Sequence, residues 1–211
     1  MTDPDLLRSS ELLEPSHIGP RLRAERERQG LSVRETARRI GVSASLVSQI
    51  ERDKVTPSVS TLWALVRELN LSMGDLFDDD ERQPTELTAL LAQGMGPVWA
   101  DERRAIHLAS GVTWERLTAG SQRGVEFLRL VYEAGSESCP EDSLIRHTGK
   151  EYGHVLSGRL GVQVGFDTYD LGPGDSLSFD GSLPHRLWAI GDEPAEAIWA
   201  VVGRQGDPSP P

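Results

Sequence analysis

The sequence predicts a two-part chain: an all-α N-terminal domain of five helices, followed by an all-β sandwich or barrel. Three observations carry this. Residues 31–52, LSVRETARRIGVSASLVSQIER, read as two short helices joined by a tight turn. From about Ala105 the apolar spacing changes from helical to the short, β-branched and aromatic segments of strands, separated by Gly, Pro and Asp. Between them lies an acidic run followed by proline, DDDERQPTE, the composition of a domain boundary.

Taken in order, residues 1–16 read as a disordered lead-in and residues 17–77 as the helical domain. Helix 1 is expected from about Gly19 to Gln29, stopping at Gly30, a residue suited to the left-handed position after a helix. Ser32 with Glu35 forms a capping box and starts the second helix. Ala37 is small where another helix can come close, and Gly41 allows a sharp turn with φ > 0. Ser43 can N-cap the third helix. Ser58, after Thr56-Pro57, can cap a fourth, SVSTLWALVREL, whose Leu62, Trp63, Val66 and Leu69 have the spacing of core residues. Ser72 and Asp75 frame a short fifth helix ending near Phe77. Residues 78–104 form a linker, in which TELTALLAQ reads as a short helix before GMGP breaks it. Residues 105–203 hold the strand segments GVTWERLT, VEFLRLVYEAG, KEYGHVLSGRLGVQVG, DTYDLGPGDSLSFD and AEAIWAVVG, and 204–211 a mobile tail.

The layout of residues 31–52 is a helix-turn-helix, a motif whose second helix enters the DNA major groove. At about 100° per residue, Leu46, Val47 and Ile50 fall on one arc of that helix, while Ala44, Ser45, Ser48, Gln49 and Arg52 fall on the opposite one. The first arc can pack against helix 2. The second is small, uncharged or basic where an ordinary solvated face would carry Lys and Glu, which suits close approach to base edges. Gln49 is the best direct reader, because an amide can bond adenine N6 and N7 together. Lys54 and Ser58 lie beside this face and complete the candidate DNA contacts.

Charge supports the same division. The chain of 211 residues carries a net charge of −11, yet residues 17–77 hold ten Arg and Lys against seven Asp and Glu. Residues 78–211 hold eleven against twenty-two. The basic balance therefore sits on the helix-turn-helix domain, where phosphates would lie, and the acidic remainder repels DNA. A single cysteine, Cys139, excludes an intramolecular disulfide and suits a reducing cytoplasm. The N-terminus is acidic without an apolar signal region, and no apolar run is long enough to span a membrane. A cytoplasmic protein with no membrane partner is expected.

Residues from about Ile18 to Phe77 resemble the XRE family of DNA-binding domains, with the lambda-repressor-like five-helix fold. The segments RLRAERERQGLS, RETARRIGVSASLVSQIERDKVTPSVSTLWALVREL and LSMGDLF carry the match, with Ala37, Gly41, Val47 and Ile50 where the motif places them. The resemblance implies a semi-buried ion pair between Arg26 and Glu51. Val33 stands where relatives often carry Gln, leaving Arg34 as the nearest side chain for a phosphate contact.

Residues 105–203 resemble the cupins, small jelly-roll barrels, on the strength of His147-x-x-x-Glu151, the run after Gly158, the turn LGPGD and the closing Pro184-His185. Metal-binding cupins offer a His-x-His pair, a Glu and a later His. Here Ile145 stands at the first position, leaving His147, Glu151 and His185 as a reduced set for a divalent first-row metal or an organic effector. His154, three residues from Glu151 along a strand, should point away from the cavity. Trp114, Trp188 and Trp199 are candidates to line a pocket, with core or interface positions the plainer reading.

Together the resemblances imply a homodimeric transcriptional regulator that binds double-stranded DNA through the helices, with a barrel that senses an unknown small molecule, dimerises the chain, or does both. The alternative is a metal-dependent cupin enzyme, a dioxygenase or isomerase, carrying a DNA-binding domain.

Overall fold

The structure, a computed structural model, describes residues 18–77, 96–122 and 124–203. Four α-helices come first among these residues: α1 (Ile18–Arg28), α2 (Val33–Ile40), α3 (Ala44–Ile50) and α4 (Val59–Glu68). Their ends follow local chemistry. The hydroxyls of Ser32, Ser43 and Ser58 accept from the amides of Glu35, Leu46 and Thr61, each satisfying a donor that the first helical turn leaves unpaired. Gly41 ends α2 at φ 75°, which a residue with a Cβ adopts only under strain. Leu22, Val47, Ile50, Leu62, Leu65 and Val66 form the buried centre between the helices.

The fifth helical element differs from expectation. Residues Gly74–Phe77 form a 3-10 helix, not an α-helix. Ser72 and Asp75 do cap each other as anticipated, with Ser72 N–H donating to Asp75 at 2.9 Å and Asp75 N–H to the Ser72 hydroxyl at 3.1 Å. The reciprocal bonds frame only one turn, and so short a piece takes the tighter 3-10 winding. Leu76 and Phe77 are nonetheless buried. The expected helix TELTALLAQ lies outside the described residues.

A second 3-10 turn, Ala100–Glu102, leads into nine strands: β1 (Ala105–His107), β2 (Val112–Arg116), β3 (Val125–Tyr132), β4 (Lys150–Ser157), β5 (Leu160–Val164), β6 (Asp167–Leu171), β7 (Ser176–Asp180), β8 (His185–Ala189) and β9 (Ala195–Val202). They make an antiparallel sheet of order β1-β2-β3-β9-β4-β7 and a second of order β6-β5-β8. Alternation along each strand sends one set of side chains between the sheets. On β4, Glu151, Gly153 and Val155 point in while Lys150, Tyr152 and His154 point out. Glu151 lies opposite Val201 of β9 and Phe179 of β7, which places a carboxylate inside the barrel.

Candidate functional site

The helix-turn-helix presents a compact polar face. Ser45 is exposed and Ser48 and Gln49 are half-exposed on α3, while Val47 and Ile50 are buried. Ala44 and Leu46 are half-buried against the core, so Ala44 sits further in than the helical wheel suggested. Arg34 at the start of α2, and Arg52 and Lys54 in the turn after α3, are exposed and form no ion pair among the described residues. By contrast, Arg38 and Arg39 are held by Glu35 at 2.7 Å, and Arg39 also by Glu68 at 2.8 Å. The Ser58 hydroxyl is engaged in capping α4 and in a 3.0 Å bond to Thr61.

Arg26 of α1 and Glu51 after α3 are joined in the interior. Arg26 Nε and Nη2 donate to the two carboxylate oxygens at 2.5 and 2.9 Å, and Nη1 donates to the Leu31 carbonyl at 2.7 Å. This forked clamp ties the first helix to the end of the recognition helix. Small Ala37 on α2 is buried beside it in the same core.

Inside the barrel, His147, Glu151 and His185 converge, with ligand atoms all within 4.8 Å of one another. Glu151 Oε1 lies 2.6 Å from His147 Nε2 and 3.1 Å from His185 Nε2. The Trp199 indole N–H donates to Glu151 Oε2 at 2.6 Å. Burial pushes the Glu151 carboxyl up, but the two imidazoles outweigh it and hold the group at about 2. Burial likewise opposes charge on His185, and the Glu151 carboxylate more than offsets it, raising the imidazole.

The two rings are also fixed in orientation. His147 Nδ1 lies 3.0 Å from the Thr148 carbonyl and His185 Nδ1 lies 2.9 Å from the Leu183 carbonyl. A carbonyl only accepts, so both Nδ1 atoms carry hydrogen. In their neutral form, both rings therefore aim an Nε2 lone pair at the same carboxylate oxygen. Such an arrangement needs a positive species between them, a proton or a metal ion. Backbone carbonyls that set the tautomer are the usual outer partners of metal-ligating histidine. The donor set thus fits a divalent metal, although Ile145 stands where a fourth ligand would be. Its backbone pairs with His185, and its side chain lines the cavity.

The remaining wall is aromatic and is shared between the domains. Trp114, Tyr132 and Trp199 line the cavity, joined by Val59 and Trp63 of α4. Trp63 lies flat on His147, ring centres 4.8 Å apart and planes 13° from parallel, and meets Trp114 edge-on at 5.9 Å. The spacing along α4 had placed Trp63 in the helical core; instead it reaches across to the barrel. Trp188 lies elsewhere, stacked under the Arg186 guanidinium at 4.5 Å. His154 points outward to Ser176 at 2.9 Å. Cys139 is buried, and burial pushes its thiol up, away from the reactive thiolate.

Sequence reading missed the Trp199 bond to Glu151, and one signal could have found it. Gly153 sits mid-strand two residues after Glu151, and a Cβ there would lie 2.0 Å from the Trp199 ring. A glycine within a strand marks such a close approach.

Residues 22–76 match the helix-turn-helix family and residues 129–201 the cupin domain family. The chain is 32% identical over 180 residues to the HTH-type transcriptional regulator PuuR of Escherichia coli strain K12, covering 85% of this chain and 89% of the relative. It is 26% identical over 175 residues to the HTH-type transcriptional regulator SutR of the same organism, covering 78% and 82%. Among solved structures, an HTH_3 family transcriptional regulator from Vibrio cholerae superposes with a TM-score of 0.61 at 24% identity, covering 89% of this chain and 95% of that one. With both domains matched in the same order, the chain belongs to the HTH-type transcriptional regulators that carry a cupin domain.

Proposed function

We propose that this regulator reads DNA with the face formed by Ser45, Ser48 and Gln49, with Ala44 at its edge, and that Arg34, Arg52 and Lys54 anchor it to phosphates. Arg34 on α2 and Arg52 and Lys54 after α3 are exposed and form no ion pair among the described residues, which leaves them available to phosphates. Ser58 contributes less than the sequence suggested, because its hydroxyl already caps α4. Two copies act together, since one such domain reads a single half-site. The protein works in the cytoplasm, where its DNA lies.

The barrel is the sensing part. The single observation that carries this is the convergence of the two oriented imidazoles on the Glu151 carboxylate. His147, Glu151 and His185 would hold a divalent first-row ion, which supplies a Lewis-acidic anchor for a polar group of an effector. The chain's own residues fix the rings through Thr148 and Leu183, hold Glu151 ionised, and exclude bulk water with Trp114 and Trp199.

Two measurements test this. Operator sequences selected from a random duplex library should bind wild-type protein in a gel shift. Gln49→Ala should lose about 1–3 kcal/mol of discrimination at one base pair while staying folded. Unchanged preference would overturn the assigned face. Elemental analysis of protein isolated from its native host should find one equivalent of metal, absent in Glu151→Ala; metal-free protein that also takes up no Mn(II) or Co(II) would overturn the metal reading.

A further inference from the structure

The barrel cavity is lined in part by a residue of the other domain, Trp63. Its free space is about 40 Å³, enough for an ion and a few waters but far below the roughly 300 Å³ or more of a small-molecule pocket. The space a ligand body would need lies over His147, where the Trp63 indole now stacks. Trp63 is carried to this place by α4. Its neighbours Leu62, Leu65 and Val66 are locked in the helical core, and α4 packs against α2. Undocking the helix-turn-helix domain therefore withdraws the indole from the mouth.

Other contacts join the domains, among them Arg116 over the Phe77 ring at 5.6 Å. The Ala109 amide donates to the Pro57 carbonyl at 3.0 Å, just before α4. Arg104 donates to the Phe77 carbonyl at 2.7 Å and Arg116 to the Gly74 carbonyl at 3.3 Å, both at the 3-10 turn. The turn contacts and Trp63 come from different elements of the helical domain.

We propose that Trp63 is a removable stopper: a ligand with a flat or apolar body of about the size of indole, and one polar end reaching the His147–Glu151–His185 floor, takes the place of this side chain and swings the DNA-reading domain off the barrel mouth. An ion alone enters without displacing it. The stopper thereby sorts ligands by size and makes cavity occupancy and domain docking mutually exclusive. The contacts at Gly74 and Phe77 act as the pivot. In a dimer, such a swing changes the distance between the two reading helices, which half-site spacing detects directly.

This inference rests on the reading of the cavity as a ligand site, and the experiment separates the two. Trp63→Ala imitates the displaced state without any effector, and Trp63→Phe keeps a smaller ring. The Ala109 amide, whose partner is across the interface, reports docking by hydrogen exchange in the full-length protein. It should exchange faster by about tenfold or more in Trp63→Ala, and by less in Trp63→Phe. Affinity for a library-selected operator should change in the same order, with circular dichroism unchanged. Indole, added as a probe, should occupy the vacated mouth of Trp63→Ala in a crystal soak. Unchanged Ala109 exchange, or faster exchange with unchanged operator affinity, would overturn the stopper even if indole binds. Faster exchange with no uptake of indole would show that the cavity is not a ligand site, overturning both readings.

Discussion

The chain buries two charged clusters, and they are built on opposite plans. Around Arg26 and Glu51 every strong donor has a fixed protein acceptor: two bonds go to the carboxylate and one to the Leu31 carbonyl. The pair is buried among the helices. Around Glu151, two imidazoles point their Nε2 atoms at one carboxylate oxygen beside open space. The first cluster is complete as it stands. The second has donors oriented by backbone carbonyls toward a position that another positive species can fill. Saturation fits a structural ion pair, and convergence on free space is what supports the proposed ligand site.

The largest effect should come from breaking the saturated pair. Glu51→Ala leaves the Arg26 guanidinium buried without its partner and should destabilise the helical domain by about 3–5 kcal/mol, read by denaturant unfolding. Replacing both residues, Arg26→Met with Glu51→Leu, should recover most of that loss, because an apolar pair leaves no buried charge behind. No recovery would mean that the clamp does more than hold the helices.

Gly153→Ala tests the other cluster through its support. The added methyl meets the Trp199 ring, which must shift, and overpacking of this kind costs about 1–3 kcal/mol. Because Trp199 orients Glu151, Co(II) affinity should fall by about tenfold as well. Lost stability with unchanged metal affinity would separate Trp199 from the site. Glu151→Gln sharpens the contrast: it should abolish metal uptake with a smaller stability change than Glu51→Ala. An equal or larger loss would class the barrel cluster with the structural pair. The smallest effect belongs to Ser43→Ala, which removes the cap of α3 and should cost about 1 kcal/mol in thermal unfolding while leaving both clusters intact.

Legibility followed the range of the interactions. The caps at Ser32, Ser43 and Ser58 and the turn at Gly41 depend on residues a few positions apart, and their spacing shows in the chain. The outward aim of His154 follows from strand alternation alone. The fifth helix was misjudged because a capping box specifies a start and says little about length. Trp63 was misassigned for a deeper reason. Helical spacing identifies apolar positions but not which neighbour covers them, and here the neighbours are Trp114 and His147 of the barrel, 51 and 84 residues downstream.

By itself, the sequence determined the two domains and the helix-turn-helix with its polar face, because periodicity and capping are local properties, while the three side chains of the barrel cluster came from the resemblance to cupins. Tertiary structure alone decided that the imidazoles share one oxygen, that Trp199 braces the carboxylate, and that Trp63 of the DNA-reading domain stacks on His147 at the cavity. Those contacts join residues distant in the chain, and only the docking of sheet on sheet and of helix on barrel brings them within bonding distance.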